Sequence, residues 1–303
     1  MSIYTLDLDF MGTPMSIAAY LIPHEHGAIL IESGPASTLP GLQASLQAHG
    51  LSVKDVTDVF VTHIHLDHAG ACGWLARQGA RIHVHPVGAP HLLDPEKLLS
   101  SATRLYGEGM AAWGEFLPVP EGQLSVLQDE EVVEIGGLRV RAIDTPGHAN
   151  HHYAYIIEDT CFSGDIGGVR LPGCRYLRLP MPPPEFLLES WRESLKRLQV
   201  ECAAGAFSRI APTHFGIFDD PAWHLAALQA DLDEIEQWIL DVMPGEPSVD
   251  ELNQKLLEWT QARSQQAGLE PEIIKAYELA NPAWISTQGI LRYWKKYRQP
   301  PEG

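Results

Sequence analysis

The segment Val59–Gly70 reads VFVTHIHLDHAG. It places four candidate metal ligands, His63, His65, Asp67 and His68, within six positions directly after an apolar run. On extended backbone, side chains two apart share a face, so His63 and His65 can grip one ion together. Asp67 and His68 stand at the turn into a helix beginning near Ala69, within reach of a second ion beside the first. Gly70 allows close approach of that helix backbone. A single strand histidine is usually a packed or surface residue. Four imidazole and carboxylate groups at this spacing instead have the chemistry of a ligand set.

The scaffold around this segment reads as two unequal parts. Up to about residue 216, short runs rich in Val, Ile, Phe and Tyr alternate with helical stretches. Strands are expected over Ile3–Phe10, Met15–Ile22, Ala28–Glu32, Asp58–Thr62, Arg81–His85, Glu131–Ile135, Leu138–Ile143, Tyr153–Glu158 and Ile210–Pro212. Gly136-Gly137 marks a hairpin. Helices are expected near 37–48, 69–78, 95–112 and 185–199. This is a layered α/β arrangement containing many hairpins. After Asp219 the pattern is helical only. Leu225, Leu228, Leu232, Ile235, Ile239 and Val242 step by three and four along one face, and Asp220-Pro221 supplies a start signal. Further helices are expected over Ser248–Gln265, Pro271–Leu279 and Ala283–Tyr297. The expected division is an α/β unit at 1–216, carrying these candidate ligands, and a helical C-terminal appendage at 217–303.

Three later turns offer further ligands. Thr145-Pro146-Gly147-His148, Ser163-Gly164-Asp165 and Thr213-His214-Phe215-Gly216 each follow a β-type run and sit beside Gly or Pro. Loops at strand ends are where rigid scaffolds present chemistry. His63-x-His65-x-Asp67-His68, followed in order by His148, Asp165 and His214, resembles the metallo-β-lactamase fold superfamily. The ThrProGlyHis and SerGlyAsp turns match its glyoxalase II-like hydrolase branch. The resemblance covers roughly residues 1–216. It implies an αββα sandwich, two mixed β-sheets face to face with helices outside and a metal site along one edge.

The resemblance also implies a ligand division. His63, His65 and His148 would hold one metal, Asp67, His68 and His214 a second, and Asp165 would bridge them. Imidazole and carboxylate donors suit two divalent ions, Zn²⁺ first, with Fe²⁺ or Mn²⁺ also compatible. Two such ions share and acidify a water, and Asp67 is placed to orient the resulting hydroxide and take its proton. The expected function is hydrolysis of a small ester, thioester, lactone or related bond. A mononuclear Fe(II) sulfur dioxygenase and a metal-dependent nuclease are the alternatives. The chain departs from the family at Glu32, where many members carry Asp, and at His151-His152, where a Gly usually precedes the second His. Asp165 stands where familiar penicillin-hydrolysing members carry Cys, which argues against that activity. Glu32 reads either as an acid backing a ligand or as a surface acid, and His152 either as a group behind the ligands or as a packed residue.

Other features take bland readings. His83 and His85 copy the HxH spacing without a following Asp-His and read as structural. His24 and His26 flank a hairpin turn and read as solvated, and Cys72 as a buried thiol. Arg170, Arg175, Tyr176 and Arg178, in the loop after Asp165, could bind an anionic part of a substrate or simply be loop surface. Lys295, Lys296 and Arg298 read as a solvated basic face, and Trp284, Tyr293, Trp294 and Tyr297 as packing or a dimer contact. With 21 Lys and Arg against 39 Asp and Glu, the net charge of −18 repels polyanions and disfavours nucleic acid as a partner. A small-molecule substrate and a homodimer are the expected partners. The acidic N-terminus and the absence of a long apolar run point to a cytoplasmic protein with no membrane partner. Four cysteines are too few for a disulfide framework.

Overall fold

The computed structural model describes residues 2–299. Strands β1 (Tyr4–Asp7), β2 (Ala18–His24) and β3 (Gly27–Ile31) form an antiparallel meander. Helix α1 (Leu39–Ala48) then crosses to β4 (Val56–Phe60), which lies parallel to β3. The short α2 (Leu66–Ala69) and α3 (Cys72–Arg77) lead to β5 (Arg81–Val84), and α4 (Ala89–Leu93) and α5 (Glu96–Tyr106) lead to β6 (Leu124–Val126). Both strands extend the parallel half, giving a six-stranded sheet of order β1-β2-β3-β4-β5-β6. The next strands, β7 (Val132–Ile135), β8 (Leu138–Asp144), β9 (Tyr153–Ile157) and β10 (Thr160–Phe162), are antiparallel neighbours. Helix α6 (Leu188–Ala203) crosses to β11 (Arg209–Ala211), parallel to β10, completing a sheet of order β11-β10-β9-β8-β7. Helices α7 (Pro221–Val242), α8 (Val249–Gln266), α9 (Pro271–Ala280) and α10 (Ala283–Tyr293) follow.

The period of two along the strands builds the layers. On β2 and β3, Tyr20, Ile22, Ile29 and Ile31 face the second sheet and meet Tyr153, Tyr155, Ile157 and Phe162. The alternate residues Ala19, Leu21, Ala28 and Leu30 face outward onto Leu42 and Leu46 of α1 and Leu75 of α3. The outer face of the second sheet, with Ile143, Ala154 and Ile156, is covered by α6 through Trp191, Leu195 and Leu198, and by α7. The stripe Leu225, Leu228, Leu232, Ile235 and Ile239 is therefore buried against the chain's own sandwich. Two mixed sheets between helical layers are the expected αββα architecture, with C-terminal helices added.

Several elements differ from expectation. The helix expected over 69–78 is two short ones, broken at Gly70-Ala71. A Cβ on Gly70 would lie 2.4 Å from the Leu66 carbonyl oxygen and 2.9 Å from Pro35 Cα, so the break lets the chain pack against the Pro35 turn. The helix expected to reach 112 ends as α at Tyr106 and continues as a tighter 3₁₀ stretch. The final helix ends at Tyr293 and widens into a π turn over Trp294–Arg298. Strands β6 and β10 have three residues each, and α4 has five. All three are too short to show a period; β6 and α4 were not anticipated, and β10 was marked only as a β-type run before the Asp165 turn. Among the described residues, no helix is long and apolar enough to cross a membrane.

Candidate metal centre

Strands β8, β10 and β11 run in one direction within the second sheet, as their pairing requires. His148, Asp165 and His214 follow their C-terminal ends, and His63 and His65 follow β4 of the first sheet. The sheets are joined at this edge by a hydrogen bond from Tyr153 N to Thr62 O, 2.7 Å. Four strand ends thus deliver all seven sequence-derived candidates to one place. The Tyr20 hydroxyl fixes the His214 turn, donating to Pro212 O at 2.5 Å and accepting from Gly216 N at 3.1 Å. The Asp165 turn needs glycine. At Gly164 φ is +51°, and a Cβ would stand 2.6 Å from both His152 Nε2 and Thr62 Oγ1.

The donor atoms form two groups. His65 Nδ1 lies 2.9 Å from His63 Nε2 and 3.0 Å from His148 Nε2. Asp67 Oδ2 lies 3.5 Å from both His68 Nε2 and His214 Nε2. Asp165 stands between them. Its Oδ2 is 3.2 Å from His148 Nε2, and its Oδ1 is 3.3 Å from His68 Nε2 and 3.4 Å from His214 Nε2. The far nitrogens of three rings are held from behind, as metal-binding imidazoles require. His148 Nδ1 donates to Pro180 O at 2.9 Å, His214 Nδ1 to Ser16 O at 2.6 Å, and His68 Nδ1 to Glu32 Oε1 at 2.9 Å.

Glu32 is fully buried, so the surface-acid alternative is excluded. Its carboxylate also accepts from Thr62 N at 3.2 Å, Thr62 Oγ1 at 2.5 Å and Thr213 Oγ1 at 2.9 Å. It therefore ties together the turns that carry His63, His68 and His214. His152 packs behind the site, with Nδ1 2.8 Å from Thr145 Oγ1 and its ring 5.1 Å from that of His63.

The electrostatics suit cation binding. Burial, reinforced by neighbouring imidazoles, holds His63 far below the ordinary histidine range and His65 at about 3. Burial also lowers His148. These rings are neutral at pH 7, with nitrogen lone pairs free. Burial would raise Asp67 and Asp165, but the surrounding histidines outweigh it and keep both ionised. His68 Nε2 and Asp165 Oδ1 are buried with no hydrogen-bond partner. Orphaned donors of this kind are costly unless something binds them. A divalent cation beside Asp67, His68 and His214 would satisfy both, so the residues present fit a bound metal.

The site forms the floor of a cavity of about 950 Å³. Two lining residues carry no role in the sequence reading. His151 Nε2 lies 3.1 Å from Glu185 Oε2, on the loop opposite. Burial opposes ionisation of Glu185, but its bond to His151 prevails and keeps it at about 2. The histidine doublet was the only signal for His151, and nothing marked Glu185.

The loop after Asp165 does not turn its polar groups to the cavity. Arg170 pairs with Asp220 at 2.6 Å and lies 4.0 Å over the Phe218 ring. Arg178 pairs with Glu278 at 2.8 Å, Arg175 covers Trp223, and the Tyr176 hydroxyl reaches Thr260 O. These four residues tie the loop to the C-terminal helices, so the anion-binding reading for them is corrected. The basic run is exposed at Lys295 and Lys296, as expected, and only Arg298 departs from that reading. Lys295 and Lys296 line the cavity, and Arg298 pairs with Glu189 and Glu236. Tyr293 is buried in the core, and Trp284 packs edge-on to Tyr106. His83 and His85 are structural, bonded to Asp58 at 2.7 Å and facing Asp144 at 3.3 Å. His24 is part-buried on Thr57 and so not simply solvated, and Cys72 is a buried thiol.

Comparison with known proteins agrees with this fold. Residues 12–201 match the family model described as the metallo-β-lactamase superfamily. A metallo-β-lactamase fold-containing protein of Sulfurisphaera tokodaii is 28% identical over 194 residues, which is 62% of this chain and 69% of that protein. A hydroxyacylglutathione hydrolase of Rhodopseudomonas palustris is 34% identical over 112 residues, spanning 36% of this chain and only 33% of that enzyme. The crystal structure of a metallo-β-lactamase family protein from Thermus thermophilus superposes with a TM-score of 0.66 at 22% identity, covering 97% of this chain and 93% of that one.

Proposed function

The chain belongs to the metallo-β-lactamase superfamily, and from that premise we propose that it is a dinuclear metal-dependent hydrolase of a small ester, thioester, lactone or related bond. The observation that carries this reading is Asp165, whose two carboxylate oxygens face different donor groups, Oδ2 at 3.2 Å from His148 and Oδ1 at 3.3 Å from His68. His63, His65 and His148 would hold one ion and Asp67, His68 and His214 the other, with Asp165 shared. Zinc suits this donor set best, and iron or manganese is compatible with it. Bound there, two divalent ions acidify a water and polarise the bond to be cleaved.

The chain's own residues do the rest. Asp67 is ionised and only partly exposed at the cavity floor. It orients the attacking water and accepts its proton, which then passes to the leaving oxygen or sulfur. The water oxygen joins the acyl carbon as the bond to the leaving group breaks. Glu32 holds His68 in one tautomer, and the Pro180–Glu185 loop closes one side of the cavity. The substrate is a small molecule that enters between α5 and α10. The C-terminal helices, taken as a unit from residue 217, shape access to the site. Four free cysteines, two of them buried, fit a cytoplasmic setting. The test is a panel of ester, thioester, lactone and phosphodiester substrates run on zinc-loaded protein, with oxygen uptake on a persulfide measured in parallel. Hydrolysis of an acyl bond supports the reading. Oxygen consumption with a single iron, or cleavage of the phosphodiester alone, refutes it.

A further inference from the structure

Five cations ring the mouth of the cavity. Lys97 and Arg104 come from α5 on one side, and Arg292, Lys295 and Lys296 come from α10 and the π turn that follows it on the other. None of the five forms an ion pair among the described residues. Arg104 bonds only the Ser100 hydroxyl, and Arg292 donates to the Pro184 carbonyl. This contrasts with the arginines of α6 and with two of the three in the loop after Asp165. Arg192, Arg197, Arg170 and Arg178 each meet a carboxylate. In a chain of net charge −18, five unpaired cations around one opening are not the average surface.

The acids of the cavity do not offset them. Asp67 and Asp165 belong to the metal ligands, and Glu185 is taken by His151. The opening is therefore positive, and a cleft with low-dielectric walls focuses such a field on what enters it. The π turn adds a structural observation. Such turns are uncommon and occur frequently at functional sites. Here one carries Lys295 and Lys296 at the opening, while Arg298, at its end, is locked by Glu189 and Glu236.

We infer that the cavity takes a substrate whose leaving group carries two or more phosphate groups, held by Lys97, Arg104, Lys295 and Lys296 while the acyl bond lies over the metal ligands. Phosphate is favoured over carboxylate by charge. Each terminal phosphate brings roughly −1.5 to −2 at neutral pH, so two of them balance a ring of this size, whereas one carboxylate would leave most of it uncompensated. Lysine is a strong point-charge partner for phosphate, and arginine can bind it with two parallel bonds. This deepens the hydrolase reading and rests on it.

The experiment uses one acyl group in three forms on zinc-loaded protein: its coenzyme A thioester, its glutathione thioester and its N-acetylcysteamine thioester. These carry phosphates, carboxylates and no charge, respectively. Binding of adenosine 3′,5′-bisphosphate is measured alongside by calorimetry. The expected kcat/KM for the coenzyme A thioester exceeds both others by about 10-fold or more, and the excess shrinks with added salt. Lys295→Gln/Lys296→Gln and Lys97→Gln/Arg104→Gln each bring that ratio towards one and weaken bisphosphate binding by about 10-fold. Equal kcat/KM for the three thioesters, preference for the glutathione form, or bisphosphate binding indifferent to both double variants would overturn the inference while leaving the hydrolase reading intact. Variant-sensitive bisphosphate binding without hydrolysis of any thioester would leave the anion site standing and sink the hydrolase reading. Tighter binding of a single-stranded oligonucleotide than of the bisphosphate would overturn the small-molecule assignment.

Discussion

Replacing Glu32 by Gln keeps the shape of the side chain and removes its charge. In the structure Oε1 accepts from Thr62 Oγ1, His68 Nδ1 and Thr213 Oγ1, and Oε2 accepts from Thr62 N. The amide oxygen of Gln can take over the Oε1 bonds, but its nitrogen would then face the Thr62 N–H, a donor against a donor. One charge-assisted bond is lost outright and three become neutral. The bond lost outright is worth about 1.5–3 kcal/mol and the three weakened ones about 1 kcal/mol each, so the apoprotein should lose at least about 2 kcal/mol of stability, and up to about 6 if the terms add. The metal effect is separate. His68 loses the carboxylate that fixes its tautomer and raises its basicity, a change worth about 10–100-fold in affinity. Zinc affinity measured by competition with a chromophoric chelator should fall by that factor for one of two ions, with the other little changed. Denaturant unfolding of the metal-free protein reads the stability change. Two zinc affinities within twofold of wild type, with unchanged unfolding, would show that Glu32 does not back the site.

Three other outcomes follow from the geometry. His63→Ala removes a donor itself, so elemental analysis should show about one metal ion fewer and activity should drop by about 100-fold or more; full metal content with full activity would remove His63 from the site. Buried His224 is held neutral, accepting from Arg170 at 3.3 Å and donating to Gly167 O at 2.7 Å, and burial lowers it to about 4. Because its folded pKa is depressed below the unfolded value of about 6.5, its contribution is complete above that pH and is lost as pH falls towards 4, by about 3 kcal/mol. Metal-free His224→Gln should lack that part of the pH dependence in denaturant titrations, and an identical slope would refute it. Leu228, fully buried between α7 and the sandwich, should cost about 2–5 kcal/mol as Leu228→Ala, while a change below about 0.5 kcal/mol would mean that the α7 seam contributes little.

The site was more legible than the surface around it. Ligand chemistry repeats at fixed short spacings, so His63, His65, Asp67 and His68 stand out in one segment. The later three sit in Gly- and Pro-marked turns whose backbone requirements are local. The strands were legible where alternation ran for four or more residues. β6 was not, since its three residues carry no period and it pairs with β5, about 40 positions earlier in the chain. Glu32 was ambiguous because its burial depends on Thr62, His68 and Thr213, none of them adjacent. Arg170 and Arg178 looked like a substrate-binding loop because their partners Asp220 and Glu278 lie 50 and 100 positions away. Lys295 and Lys296 are exposed as expected, but their place at the cavity comes only from the return of α10 beside α5. Pairing and burial set by the tertiary fold decided each of these cases, and local sequence carries neither.

The dinuclear assignment depends on Asp165 serving two ions at once. Elemental analysis of purified protein equilibrated with zinc and freed of excess metal tests it directly. Two zinc ions per chain, falling in Asp165→Ala with loss of both tight affinities, is the result the geometry predicts. One ion per chain in wild type, unaffected by Asp165→Ala, would contradict it.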